Sequence, residues 1–367
     1  MRRAAIRANL LCASLGAFVC SVSNADAGSI IGNLNKIEAN ASTIPGNGDL
    51  NPYGVAIVPE TVGNLLKDHI LVSNFNNAMN LQGTGTTIVQ VSPDGASTQL
   101  FAQIDPTKLP GPCPGGIGLT TALVVLRMGF VVVGSLPTTD GTSATAKAGC
   151  LLVLNSTGEV VKTISGEING RWDMTALDQG LQAVLFVTNV LNGTQAANGT
   201  TATGGTVVRI GLALVPGRTP VETSRTVIGS GFAERTDPAA LVIGPTGVGL
   251  GSNDVLYVAD TLNNRITAID QASTRTTDAG TGNTVTGGGA LNAPLGLAIA
   301  RNGDIVTANG GDGNMVETAP DGTQVAVRFV DVTSTTGAGD LFGLAIPQGH
   351  PSAYFVNDGN NTLDLLH

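Results

Sequence analysis

The stretch Leu256–Asp270, LYVADTLNNRITAID, reads as two strands joined by a tight turn. An apolar run ends at Asp260, Asn263 and Asn264 suit left-handed turn backbone, and RITAID alternates as a half-buried strand does. The same strand end returns as ILVSNF, VVVGSL, LFVTNV, IVTANG and YFVNDG, which puts Asn74, Ser135, Asn189, Asp260, Asn309 and Asp358 at equivalent positions. An apolar segment rich in small residues precedes each: PYGVAIV from Pro52, GIGLTTALVVL from Gly116, WDMTAL from Trp172, PAALVI from Pro238, PLGLAIA from Pro294 and FGLAI from Phe342. A repeat of roughly 50 to 70 residues built this way is one four-stranded sheet per unit, set around an axis. Small residues suit the innermost strand, where neighbouring sheets converge. The predicted fold is all-β, a six-bladed β-propeller of four-stranded antiparallel blades. The last repeat stops at His367 after its third strand, so Ser29 to Ala41 is expected to add the missing outer strand and close the ring.

The chain begins with Arg2, Arg3 and Arg7, an apolar run from Leu10 to Val22, and Ala25-Asp26-Ala27 before Gly28. That order is the pattern of a secretory signal over residues 1–27, leaving residues 28–367 as one domain. No later run is long and apolar enough to span a bilayer, so a secreted or periplasmic monomer is expected. Removing residues 1–27 takes away three Arg and one Asp, a net +2, and moves the charge from −9 to −11. An acidic surface repels polyphosphate, which argues against nucleic acid as a partner. Of the four cysteines only Cys113 and Cys150 lie beyond residue 27, and in an oxidising compartment they are expected to pair.

LYVADTLNNRITAID, with PYGVAIV, LVSNFNN, PLGLAIA and NGDIVTANG, resembles the NHL-repeat propellers, and the likeness runs over nearly all of residues 28–367. The resemblance implies six blades and brings in gluconolactonase-like and paraoxonase-like hydrolases, with a calcium-type metal on the axis, and streptogramin lyase. In the gluconolactonase-like enzymes Glu, Asn and Asp ligands stand at the start of the innermost strands. The matching positions here are Tyr53, Ile117, Trp172, Ala239, Leu295 and Phe342, which offer a hard cation almost no oxygen. A shifted register would bring in Asn51, Asp173, Asp237, Asn292 and Asp340, of which Asp237 and Asp340 are the alternative metal candidates. The lyase's His and Glu pair has no counterpart around His69, His350 or His367.

Two groups of residues are candidates for binding. Asn74, Asn189, Asp260, Asn309 and Asp358 would form a polar ring at one rim, although Asn and Asp at strand ends more commonly cap the following turn. Trp172, the only tryptophan, stands between Arg171 and Asp173, with Tyr53 and Phe342 at the same repeat position. It reads either as a stacking platform for a sugar or planar ligand or as a plug of the axis. No G-x-S-x-G elbow, Walker lysine or Rossmann spacing occurs. The leading expectation is therefore a binding protein for a small molecule, glycan or protein, needing no cofactor. A gluconolactonase-like metal-dependent hydrolase or lyase using calcium is the alternative.

Overall fold

A computed structural model describes residues 28–331, 333–334 and 338–367. The signal-like residues 1–27 lie outside the described residues. Six sheets follow one another around an axis, each starting with its innermost strand. The six innermost strands are Leu50–Ile57, Leu119–Val125, Gly170–Asp178, Pro245–Leu250, Pro294–Ile299 and Leu341–Ala345, in blades I to VI. The second strands are buried along almost their whole length, Ile70–Asn76 being an example, because both faces pack against neighbouring blades. At the outside, Gln324–Phe329 alternates half-buried and exposed residues, as a strand with one covered face does.

Where innermost strands converge there is room for a backbone but not for a side chain. A Cβ on Gly343 would overlap the carbonyl of Tyr53 in blade I, and one on Gly296 would overlap that of Phe342 in blade VI. Closure comes from the N-terminal segment, as the strand count predicts. Ile37–Ser42 pairs antiparallel with Thr362–Leu366, from Ile37 opposite Leu366 to Ser42 opposite Thr362, completing blade VI. Ahead of this strand the chain is tied to blade V by buried Glu317, whose carboxylate accepts from Ser29 Oγ at 2.6 Å, Ile30 N at 2.8 Å and Ile31 N at 2.9 Å. The Cys113–Cys150 disulfide is formed, with Cα atoms 5.0 Å apart, and joins the lead-in of blade II to the start of its third strand.

Three register expectations are corrected. The innermost strand of blade IV starts at Pro245, not Pro238: Leu241–Ile243 instead folds back onto the end of the long strand Val221–Asp237, giving blade III a fifth strand. In blade II, Leu119 is the residue opposite the strand end Ser135, so the axial residue is Thr120, not Ile117. In blade VI, Leu341 pairs with Asn357, so Asn357 and not Asp358 is the counterpart of Asn74.

Candidate functional site

Register now fixes the axial ring as Tyr53, Thr120, Trp172, Thr246, Leu295 and Phe342, each one residue after the partner of a strand-end residue. Its aromatic members close the axis. The ring of Tyr53 stacks on Phe342 with centroids 3.9 Å apart and on Phe75 at 4.4 Å. Trp172 is buried beside them and donates its indole N–H to Val242 O at 3.0 Å. The fold-back segment Leu241–Ile243 thus serves as a cover for the tryptophan.

The strand-end residues are buried; Asp260 and Asn309 bond the turn that follows, while Asn74 and Asn189 bond segments 31 and 19 residues away. Asn74 donates to Thr43 O at 3.0 Å, Asn189 accepts from Gly170 N at 3.1 Å, and Asn309 donates to Ala290 O at 2.8 Å. Asp260 accepts from Asn263 and takes an ion pair from Arg265 at 2.8 Å. Arg171, Trp172 and Asp173 point to three different surroundings. Arg171 is fully buried and donates to Asn169 O at 3.1 Å and Ile164 O at 3.4 Å; burial, helped by nearby Arg225, brings its guanidinium down to about 9. Asp173 faces the axial cavity beneath the aromatic plug.

On the rim where innermost strands begin, blades I and VI frame a polar pocket of about 270 Å³ lined by Asn51, Asn76, Asn80, Gln82, Asp358 and Asn361. Its amides are fixed in orientation. Asn76 donates Nδ2 to Asn80 Oδ1 at 2.7 Å, Gln82 donates Nε2 to Pro238 O at 2.7 Å, and Asn361 Oδ1 accepts from Asn51 N at 2.7 Å. Those bonds leave Asn51 Oδ1, Asn76 Oδ1 and Gln82 Oε1 closed to solvent with no hydrogen-bond donor among the described residues. The hydroxyl of Tyr53 is likewise closed to solvent, with the side chain of Asn51 beside it. Asp358 is pushed up to about 8 by burial and then by the charges of Asp340 and Asp331. Asp340 is also raised, first by burial and next by Asp331. Burial works against the charge of Asp331 too, but hydrogen bonds from Thr333 and Asn357 hold it below the usual range. Of the pocket's six polar residues the sequence marks Asp358 as a binding candidate and Asn51 as a shifted-register position; the signal for Asn76, Asn80 and Asn361 is the density of Asn in NFNNAMN and NDGNN, and Gln82 carries none.

No protein-family model matches the chain, and no curated protein matches it. Solved structures do. A gluconolactonase from Xanthomonas campestris aligns with a TM-score of 0.55 at 12% identity over 92% of this chain and 91% of its own. A calcium-binding protein, regucalcin, from Agrobacterium tumefaciens aligns at 0.52 and 11% identity over 89% and 92%. A streptogramin B lyase gives 0.50 and 13% over 90% and 97%. Identity this low establishes the architecture, a six-bladed propeller, and nothing finer.

The regucalcin comparison corrects one expectation. The sequence leads to the expectation of no cofactor, yet a calcium-binding protein shares the architecture, which opposes a cofactor-free protein. The axis itself does not fit such an ion. Tyr53 and Phe342 stack there, Trp172 is tied to Val242, and the ring contains no carboxylate. Among the described residues no group of three or more His, Cys, Asp or Glu is arranged to hold a metal, and Asp331 and Asp358 meet through Asp340 as a chain. Asp237 is occupied by Arg235 at 3.6 Å and by Ala239 N at 2.9 Å, with no partner shared with Asp340. Three of the buried oxygens without a donor among the described residues, on Asn51, Asn76 and Gln82, belong to residues of the polar pocket off the axis, while Thr120 Oγ1 and Tyr53 Oη belong to the axial ring.

Proposed function

We propose that this NHL-like propeller is an exported binding protein whose pocket between blades I and VI takes a small ligand rich in hydrogen-bond donors, a carbohydrate being the class that fits. The observation behind this reading is the set of three amide oxygens, on Asn51, Asn76 and Gln82, that lack a donor among the described residues and belong to side chains lining one pocket, so that a ligand meets them once these side chains turn toward it. Leaving such an acceptor unpaired in a buried setting costs about 1–3 kcal/mol, so a ligand that supplies donors gains what the free protein lacks. Asp358, protonated or charged, adds a further polar contact. A hard cation would satisfy the same oxygens, so calcium is a separate arm of the test.

The test is calorimetric titration of residues 28–367 with a panel of mono- and disaccharides and, separately, calcium chloride. Asn76→Ala and Gln82→Ala should each weaken binding about tenfold, the scale of one hydrogen bond to a buried acceptor. Saccharide binding that the two variants leave untouched, or no binding of either probe, would overturn the proposal. Calcium binding lost in both variants would assign the pocket to a cation and overturn the carbohydrate reading.

One observation favours hydrolysis as a second reading. Asp358 sits next to Asp340 with its carboxyl pushed up to about 8, which is how a carboxylic acid stays protonated at neutral pH to serve as a general acid. This reading expects turnover of a lactone that Asp358→Asn abolishes; a wild-type protein without turnover removes it.

A further inference from the structure

We propose that the axial cavity beneath the aromatic plug is a second binding site, for a small molecule carrying an ammonium group, with Asp173 as its anchor. The cavity measures about 340 Å³ and is framed by the later halves of the innermost strands of all six blades. That volume falls within the range of small-molecule pockets. Its deep end is closed, because Trp172, next to Asp173 in the chain, is part of the plug that includes Tyr53 and Phe342.

The anchor is singular by position. The residues in register with Asp173 are Gly54, Thr121, Gly247, Gly296 and Gly343, so five blades bring no charge to this level and blade III brings a carboxyl. Its oxygens are oriented from two blades, Oδ1 accepting from Met174 N at 2.8 Å and Oδ2 from Val248 N at 3.2 Å. Each carboxylate oxygen keeps acceptor capacity beyond one such bond. The walls are apolar at Val55, Leu123, Leu250, Ile299 and Leu344, and the free edges of the innermost strands add peptide groups between them.

Charge decides the class of ligand. The titratable groups that face the cavity are Asp173 and, nearer its mouth, Asp178, both from blade III; blades I, II, IV, V and VI contribute none. Asp178 already has a partner, since Arg127 lies 3.6 Å away and donates its backbone N–H at 2.6 Å. Asp173 has no cationic neighbour, and burial alone pushes it up to about 8. An ammonium group arriving at Asp173 would favour the carboxylate, so uptake near neutral pH should release a proton. A calcium ion is a poorer occupant, because it collects six or more oxygens and this level supplies one carboxylate.

The experiment uses residues 28–367 and n-hexylammonium as probe, with hexan-1-ol, hexanoate and calcium chloride as controls. Calorimetry should show n-hexylammonium binding at least tenfold more tightly than hexan-1-ol, no hexanoate binding, and proton release in buffers of different ionisation enthalpy. Asp173→Asn should lower n-hexylammonium affinity at least tenfold while leaving saccharide binding at the polar pocket unchanged. Ile299→Trp, which narrows the cavity without touching the anchor, should also weaken the amine and keeps the question answerable if Asp173→Asn fails to fold. Equal binding of the amine and the alcohol, affinity unchanged in these variants, or calcium binding that depends on Asp173 would each overturn the proposal.

Discussion

Tyr53 carries a hydroxyl that its surroundings use little: the ring is stacked on both sides, and the buried oxygen has only the Asn51 side chain beside it. Removing such a group takes away a desolvation cost and at most one poorly aligned bond, so Tyr53→Phe should change stability by no more than about 1 kcal/mol. A urea transition displaced toward lower concentration by more than this would mean that the hydroxyl has a partner. Trp172 presents the opposite case. It fills the axis and bonds to Val242, so Trp172→Ala should cost about 3–5 kcal/mol in the same measurement. Asp173 and Asp358 act through pH. Both are raised from 3.8 to about 8, so between those values the folded chain holds protons that the unfolded chain has released. Stability from these two groups is therefore complete below about pH 4 and is lost as pH climbs through 8. Asp331 and Glu317, held low, work the other way and lose their contribution only in acid. Thermal unfolding followed across pH should show a maximum on the acid side of neutrality, and Asp173→Asn should flatten the decline toward pH 8. Sequence showed that Asp173 was unusual among its repeat positions. It could not show that adjacent residues of one strand serve opposite sides of a plug.

At the scale of strands and turns, the recurring strand end was legible as a polar residue closing an apolar run, but its bonds differ from blade to blade: Asp260, Asn309 and Asn357 bond the turn that follows, whereas Asn74, Ser135 and Asn189 bond segments farther away in the chain. The errors came where local pattern and global register part. PAALVI reads as an innermost strand because it is apolar and short, but Leu241–Ile243 pairs with the outer strand of blade III, and the strand that meets the axis begins after Gly244 at Pro245. In YFVNDG both Asn357 and Asp358 were fit to end the strand, and only pairing with Leu341 chooses between them. The disulfide was legible from two cysteines and their places in one repeat. It closes a loop within blade II, where a chain-entropy argument gives a stabilisation on the order of 4 kcal/mol. Replacing both Cys113 and Cys150 by Ser should lower stability by about 2–5 kcal/mol in denaturant titrations. No change on replacement or on reduction would mean that the denatured chain gains nothing from the link.

For the molecule as a whole, ring closure followed from counting strands, since six repeats came up one strand short. Ile37–Ser42 fills that place, and Glu317 holds the segment before it, a contact 286 to 288 residues away in sequence that no local pattern announces. Deleting residues 28–42 should expose the edge at Thr362–Leu366 and yield aggregation or a lower melting temperature. Monomeric elution with an unchanged melting temperature would contradict closure. Glu317→Ala, which frees the lead-in and a contact with Asn302 but leaves the closing strand paired, should have a smaller effect of the same sign. The polar pocket was hidden for the same reason. Its residues come from blade I and from the end of blade VI, and they meet because a ring brings first and last blades together.

The most direct test of the pocket's role is a high-resolution crystal structure of residues 28–367, grown with the saccharide that binds best in the panel. The ligand should lie between blades I and VI with its hydroxyls donating to Asn51 Oδ1, Asn76 Oδ1 and Gln82 Oε1. A saccharide bound elsewhere, with those three oxygens still unpaired, would contradict the account.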